Sequence, residues 1–257
     1  MKDMLERALE DNLILRNPAK GTRIIAEKEN KSRALSVEEQ NIFFKYCKNT
    51  FYDNLFNVAV NTGMRPGELF ALTEDDIDFE NGFIYVSKTL VYQKYLTDSK
   101  HAFHIEVPKT KTSNRKVPIN SVCRMYLEKQ IFQKSIISSK NAKEQNEYLF
   151  TTKFNTPLNS TTYTKAINAI VREINVLRQS EDLFSEFTGH TFRHTFATRC
   201  FECGIDPKVV QSYLGHSSVN ITLDLYTHVT EEKSSIDIEK IVDCMDNNIV
   251  DFTRKIS

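Results

Sequence analysis

Helical periodicity is the feature that most restricts the fold of this chain of 257 residues. In residues 159–177, apolar side chains recur every three or four positions, which is the spacing of one face of a helix. This stripe consists of Tyr163, Ile167, Ile170, Val171 and Ile174. Ser36 opens a capping box with Glu39, and Asp206 precedes a proline, so helices are also predicted to begin there.

Strand patterns are short and lie in the middle of the chain. Residues 83–86 follow an Asn-Gly turn signal, residues 101–107 alternate in polarity, and residues 117–119 form a third short pattern. We therefore predict a mainly α-helical fold with a small antiparallel β-sheet, in the α+β class. Residues 108–116 carry four basic side chains and are predicted to be the tip of a hairpin between the second and third strands.

The first 35 residues are predicted to be separate from the main body. Residues 3–15 have the pattern of a short helix, which an Asn-Pro pair then interrupts. Residues 21–35 are charged and weakly patterned, which predicts a linker. The main domain is predicted to cover residues 36–257 and to end in an amphipathic helix at 230–246.

Charge and cysteine content narrow the class of protein. The 34 basic and 34 acidic residues cancel, but they are unevenly distributed. Residues 94–116 hold six basic and two acidic side chains, a balance of +4, whereas residues 230–257 hold four and seven, a balance of −3. Five irregularly spaced cysteines argue against a disulfide framework and favour a cytoplasmic protein. We expect no membrane segment, because no apolar run approaches the length of a membrane span.

Four of the six histidines lie near the C-terminus, interleaved with an arginine and a tyrosine. His190 and Arg193 are three positions apart, so both project from one helical face. Arg65 precedes Pro66, which is placed to begin a helix. Each feature alone is weak evidence for catalysis. Such histidine–arginine pairs are often solvated, and Tyr226 has the apolar neighbours of a core tyrosine.

Together, these residues suit attack on a phosphate. Two arginines and two histidine donors, Arg65, Arg193, His190 and His216, could hold the charged phosphorane without a metal. Tyr226 is the candidate nucleophile. Lys109 or Lys111 could protonate the departing alkoxide.

In this order, the motifs resemble those of the tyrosine recombinases, the family of phage-type integrases. The segments that carry the resemblance are 62–69, 108–110, 190–194, 214–216 and 226–229. The resemblance implies that Arg65 and Arg193 are the two catalytic arginines. It also implies catalytic roles for His190 and His216, with Tyr226 as the nucleophile.

The hairpin lysine of the family best matches Lys109, because it lies in a Pro-Lys-Thr sequence, and Lys111 is the alternative. Lys111, Arg115 and Lys116 are predicted to bind DNA. The resemblance further implies cutting through a 3′-phosphotyrosine without metal or cofactor, in the integration and excision of a mobile element. It implies a tetramer on double-stranded DNA that exchanges C-terminal helices, with accessory factors. Residues 1–20 would then be the remnant of an N-terminal DNA-binding domain.

Two other functions remain open from the sequence. His190 with His194, and Cys200 with Cys203, have spacings found at zinc sites, so a metal-dependent phosphoesterase is one alternative. No glutamate follows His190 and no second Cys-x-x-Cys pair occurs, and both facts weaken the case for a metal-dependent enzyme. The other alternative is a relative that binds DNA without cutting it.

Overall fold

The structure is a computed structural model. It describes residues 2–21, 33–107, 114–140, 146–178, 182–216 and 222. The chain divides into two compact units, Met1–Lys31 and Ser32–Ser257. The division falls inside the predicted linker, while the assignment of residues 1–20 as the remnant of a DNA-binding domain stays a prediction.

In the first unit, helix α1 covers Lys2–Glu10, so the prediction of a helix over residues 3–15 is wrong at its C-terminal end. The helix stops because Asn12 has a φ of 56°, in the left-handed region that ends a right-handed helix. Beyond it, Asn17 Nδ2 donates a hydrogen bond of 2.6 Å to the Glu6 carboxylate.

The second unit begins with three helices whose first and last residues are determined by local sequence signals. Helix α2, Val37–Cys47, follows Ser36, whose hydroxyl accepts from the backbone of Glu39 at 3.0 Å. Glu39 accepts in return from the backbone of Ser36 at 2.8 Å, so the predicted capping box is confirmed. Helix α3, Asp53–Thr62, ends before a glycine, and helix α4, Pro66–Ala71, begins at its proline.

Five short strands follow. Strands β1, β2, β3, β4 and β5 cover Ile77–Asp78, Phe83–Val86, Thr89–Gln93, Ala102–Glu106 and Arg115–Pro118. They form a three-stranded antiparallel sheet in the order β1-β2-β5 and a two-stranded antiparallel sheet of β3 and β4. The small antiparallel β component of the predicted fold is therefore confirmed.

The strand pairing differs from the sequence prediction in one respect. Strand β3 was not predicted, and it supplies the partner of β4, with Leu90 opposite Ile105. Strand β5 pairs with β2 instead, with Ile84 opposite Val117. The predicted pairing of β4 with β5 as a hairpin around residues 108–116 is therefore wrong. Strand β4 pairs with the strand before it, while β5 completes the sheet of β1 and β2, and Arg115 and Lys116 belong to β5 rather than to a loop.

Most of the described candidate catalytic residues lie on the remaining helices or just after them. These helices are α5 at Ser121–Lys140, α6 at Ser160–Arg178, α7 at Gly189–Glu202 and α8 at Pro207–Leu214. Helix α5 is 20 residues long, and its later turns are held by the buried side chain of Ile137. The predicted apolar stripe of α6 is buried throughout.

Aromatic rings from α2, α3, α6 and α7 form the centre of the core. The ring centroids of Phe43 and Phe192 are 5.5 Å apart, and those of Phe56 and Phe192 are 5.6 Å apart. Tyr163 packs on Phe56 at 5.5 Å. These contacts fix α7 against the rest of the unit. In the described ranges, no helix combines the length and apolar character needed to cross a bilayer.

Candidate active site

Arg65 lies at the start of α4, where a glutamate holds it. Glu68 accepts from the backbone nitrogen of Arg65 at 2.8 Å through Oε2 and from its Nη1 at 2.9 Å through Oε1. Glu68 is the third residue of α4, close enough in the first turn to hold both groups of Arg65. The guanidinium also reaches Gly215 O at 3.3 Å, so Arg65 spans from the first turn of α4 to the end of α8.

Arg193 is a buried cation on α7 that binds the ends of two other helices. Its Nη1 donates to Gly63 O at 2.9 Å, and its Nη2 donates to Leu214 O at 2.6 Å. Burial, together with repulsion from Arg65, lowers the pKa of Arg193 to about 9, so the guanidinium is still charged at neutral pH. A guanidinium has five N–H donors, and donors therefore remain for a ligand.

Gly63 allows the close approach that this arrangement needs. It has a φ of 61°, and a Cβ at this position would lie 2.5 Å from the Phe196 ring and 2.9 Å from Leu214. Only glycine combines that backbone with so little space. The end of α3 can therefore lie against α7 and α8, within reach of Arg193.

Two histidines complete the set around the arginines. Burial and the charges of Arg193 and Arg65 lower the pKa of His190, on the first turn of α7. The same causes lower the pKa of His216, which follows α8, to about 4. His216 Nδ1 is 2.9 Å from the hydroxyl of Thr222, so Nε2 is the nitrogen through which the ring can act on a ligand. Both rings are neutral at physiological pH and can each donate one hydrogen bond.

A cleft of about 430 Å³ opens beside Arg65 and His190. The first turns of α6 and α7 line it, and the N-terminal turns of helices present unpaired N–H groups that favour anions. Its wall includes Gly189, where a Cβ would lie 2.1 Å from the ring of Tyr163. The cleft therefore depends on a glycine at the start of α7.

The two predicted DNA-binding residues on β5 face different environments. The side chain of Arg115 is 5% exposed and forms an ion pair with Glu68, with 2.7 Å between Arg115 Nη2 and Glu68 Oε2. Lys116 is exposed and lies over the rings of Phe83 and Tyr85, at 5.7 and 5.1 Å from their centroids. A DNA contact by Arg115 stays a prediction that its burial disfavours, whereas Lys116 has the exposure that such a contact needs.

Three predicted site residues, Lys109, Lys111 and Tyr226, lie outside the described residues. In the described ranges, no group of three or more potential metal ligands lies together. Of the proposed zinc ligands, Cys200 is buried and Cys203 is exposed.

The structure brings together Arg65, His190, Arg193 and His216, as the motifs predicted. Sequence reasoning did not anticipate the contact of Arg115 with Glu68, because the two are 47 positions apart and on different elements. It also did not anticipate that backbone carbonyls at the end of α8 bind the arginines. The glycine that follows Leu214 is a signal that the helix ends there, but it does not indicate which side chains bind the carbonyls of that end.

The comparison with known sequences decides the family. The model of the phage integrase family matches residues 33–233, which include every described site residue. The chain belongs to the phage integrase family. The fold and this family membership confirm the resemblance that the motifs carried.

Two curated relatives illustrate the extent of similarity. The transposase from transposon Tn916 of Enterococcus faecalis is 29% identical over 248 residues, covering 91% of this chain and 58% of that protein. A tyrosine recombinase XerC-like protein of Caldanaerobacter subterraneus subsp. tengcongensis is 30% identical over 258 residues, covering 95% and 64%. The chain therefore spans 58% and 64% of the length of these two relatives.

Solved structures show the same fold. The Tn1549 transposon integrase, in complex with a circular intermediate DNA, aligns with a TM-score of 0.73 and 25% identity, covering 93% of this chain and 76% of that one. A lambda integrase dimer bound to a core site aligns with a TM-score of 0.55 and 19% identity, covering 88% and 69%. The predicted catalytic-domain fold of this family is thus confirmed.

Proposed function

We propose that this chain is the catalytic part of a site-specific DNA recombinase that cuts and rejoins DNA in the integration and excision of a mobile element. The observation that carries the proposal is the meeting of Arg65 and Arg193 at the end of α8, next to His216. Membership of the phage integrase family and the names of the relatives support the same function.

The proposed reaction is a transfer of the phosphate from one oxygen to another. The hydroxyl oxygen of Tyr226 forms a bond to phosphorus while the bond from phosphorus to the 5′-oxygen breaks. The product is a 3′-phosphotyrosine and a free 5′-hydroxyl. Rejoining runs the same steps with the 5′-hydroxyl of a partner strand, so the chain needs neither a metal nor an energy-rich cofactor.

The described residues suit stabilisation of the transition state. Arg65 and Arg193 bring two positive charges to non-bridging oxygens whose negative charge grows as the phosphorane forms. His190 and His216 are neutral and can donate through one ring nitrogen each. Donors held in place before the substrate arrives stabilise the transition state without reorganisation, which is why the contacts of these arginines with the helix ends matter.

We assign the proton for the departing 5′-oxygen to Lys109, with Lys111 as the alternative. An alkoxide is a poor leaving group, and an ammonium group beside it can supply the proton as the bond breaks. The strand that follows both lysines, β5, is anchored at the site by Arg115.

The proposed partner is double-stranded DNA. The exposed Lys116 and the two cleft-lining helix N-termini of α6 and α7 supply positive charge and N–H donors for its phosphates. We further propose that four copies assemble on DNA and exchange the segment at 230–246, with accessory DNA-bending factors. Sizing of the chain on DNA, with and without residues 230–257, tests the assembly.

The experiment that tests the reaction is covalent trapping. The chain selects a duplex from a random-sequence pool by binding, and a nick placed in that duplex lets the cleaved end diffuse away. We expect a denaturation-resistant protein–DNA adduct from the wild-type chain and none from Tyr226→Phe, which loses only the hydroxyl. Tyr46→Phe, on α2, is the matched control and keeps the adduct. An undiminished adduct from Tyr226→Phe would mean that another residue is the nucleophile.

A further inference from the structure

Three consecutive carbonyl groups at the end of α8 each accept a hydrogen bond from a different arginine. The three contacts are Arg115 Nε with Tyr213 O at 2.6 Å, Arg193 Nη2 with Leu214 O at 2.6 Å, and Arg65 Nη2 with Gly215 O at 3.3 Å. The last carbonyls of a helix have no partner within it and carry partial negative charge, so they attract cations. The end of α8 is therefore a junction that collects side chains from three distant parts of the chain.

Two of these arginines also share one carboxylate. Arg115 donates to both oxygens of Glu68, with Nη1 to Oε1 at 2.9 Å and Nη2 to Oε2 at 2.7 Å. The same two oxygens accept from Arg65, through its Nη1 at 2.9 Å and its backbone nitrogen at 2.8 Å. A carboxylate offers about four acceptor positions, and here four donors occupy them.

The energetics of this carboxylate depend on Arg115. The side chains of Glu68 and Arg115 are 6% and 5% exposed, and a buried carboxylate is costly unless it is paired and fully hydrogen-bonded. Burial alone would raise the pKa of Glu68, but the hydrogen bonds and charge of Arg115, with those of Arg65, outweigh it and lower the pKa. Loss of Arg115 would leave Glu68 free to draw Arg65 out of its place.

Arg115 also links three elements of the site. It is the first residue of β5, which begins just after the segment that carries Lys109 and Lys111. Its guanidinium binds α4 through Glu68 and α8 through Tyr213 O. One side chain thus connects the strand after the candidate general acids, the helix that directly follows Arg65 and the helix that precedes His216.

We propose that Arg115 is a positioning residue for strand cleavage. It holds Glu68 and the end of α8, and through them it fixes where Arg65 and His216 meet the phosphate. This inference rests on the proposed function. The competing role is a direct DNA contact, which would require a side chain presented to solvent.

The substitution Arg115→Gln separates these two roles. Glutamine keeps a polar side chain but loses the charge and the fork. We expect cleavage at saturating DNA to fall at least about 100-fold, because misplacement of about 1 Å can have that effect, while DNA affinity changes less than about threefold. Arg115→Lys should recover little, since a point charge cannot bind both carboxylate oxygens and Tyr213 O together. Where the glutamine variant does not fold, the lysine variant carries the test.

Lys116→Gln is the matched comparison, because it removes the neighbouring cation on the exposed side of the same strand. We expect it to weaken DNA binding and to reduce the salt dependence of binding by about one phosphate contact. The same signature from Arg115→Gln, with an unchanged cleavage rate, would overturn the proposal. A second test is the double variant with Glu68→Gln, which should lose little more activity than either single variant; additive losses would count against a shared role.

One measurement needs no DNA. The side-chain resonances of Arg65 and His216, followed by nuclear magnetic resonance of the free chain, should shift in Arg115→Lys and stay in place in Lys116→Gln. Unmoved resonances in Arg115→Lys would contradict the positioning role. Absence of a covalent adduct from the wild-type chain would instead contradict the proposed function, and this measurement would still decide the placement of Arg65 and His216.

Discussion

Gly189 decides how closely α7 can approach its neighbours. A Cβ there would lie 2.1 Å from Tyr163 Cε1, 2.6 Å from Tyr163 Cδ1 and 3.3 Å from Pro66 Cγ. The Gly189→Ala variant gains about 1 kcal/mol of helix propensity at most. Overpacking a fitted contact costs about 1–3 kcal/mol, and the ring of Tyr163 is itself held by Phe56 and Phe70. We therefore expect Gly189→Ala to lower the free energy of unfolding by about 1–2 kcal/mol, measured by urea denaturation.

A second variant makes that prediction specific to the contact. Tyr163→Leu removes the ring that the new methyl group would meet, so the pair Gly189→Ala with Tyr163→Leu should be more stable than the sum of the single effects predicts. Strict additivity would mean that the methyl group strains something other than this ring. The same displacement would move His190, the next residue, and a parallel loss of cleavage is expected.

The glycine that ends α8 acts on the site through its carbonyl and through the residue after it. Gly215 has a φ of 64°, and Gly204, after α7, has a φ of 76° with open space around its Cα. Alanine at either position adopts a left-handed backbone at a cost of about 1–2 kcal/mol. We expect Gly215→Ala to lose at least as much stability as Gly204→Ala, because Gly215 is buried and Gly204 is exposed. We expect a loss of cleavage only from Gly215→Ala, because Gly215 O receives Arg65 and His216 comes directly after it. Equal cleavage by both variants would contradict this link.

Elements with local signals were predictable from the sequence. The capping box at Ser36, the proline that begins α4 and the apolar stripe of α6 each specify a helix within a few residues of chain. Strand β3 was not predictable in this way, since Thr89–Gln93 is defined mainly by its pairing with β4. The end of α5 likewise depends on the burial of Ile137, which is a tertiary contact.

The candidate site likewise has features that local sequence patterns predict and contacts that only tertiary packing determines. Motif order predicted that Arg65, His190, Arg193 and His216 share a site, and spacing along a helix predicted that His190 and Arg193 lie on one face. Spacing could not indicate that Arg115 would turn inward to Glu68, since that contact joins a strand to a helix start. An arginine in a basic stretch has the pattern of a DNA contact, and only packing distinguishes it from a structural cation.

Considered as a whole, the folded chain disfavours protonation of three histidines around the site. Burial is the largest cause for each, and positively charged neighbours add to it. Among the charged neighbours, Arg193 and Arg65 lower the pKa of His190, and His190 and Arg193 lower that of His194. The pKa of His216 is lowered to about 4, with contributions from Arg193, Arg65, Arg115 and His194. Glu68 is the acidic group that acts in the opposite direction on His190.

These shifts predict how stability depends on pH. Histidines in the unfolded chain titrate near pH 6.5, so between that value and their lower folded pKa values the unfolded chain binds more protons. The free energy of unfolding should therefore fall as the pH is lowered from 7 to 5, with the carboxylate of Glu68 adding to the loss only below its ordinary pKa of about 4.5. Urea denaturation at pH 7, 6 and 5 measures the slope, and His194→Gln should make it shallower. A stability that stays constant over this interval would mean that folding leaves the pKa of these rings unchanged, which contradicts the prediction. A stability that rises as the pH falls would mean that folding raises their pKa, and the phosphate would then meet cationic histidines rather than two neutral donors.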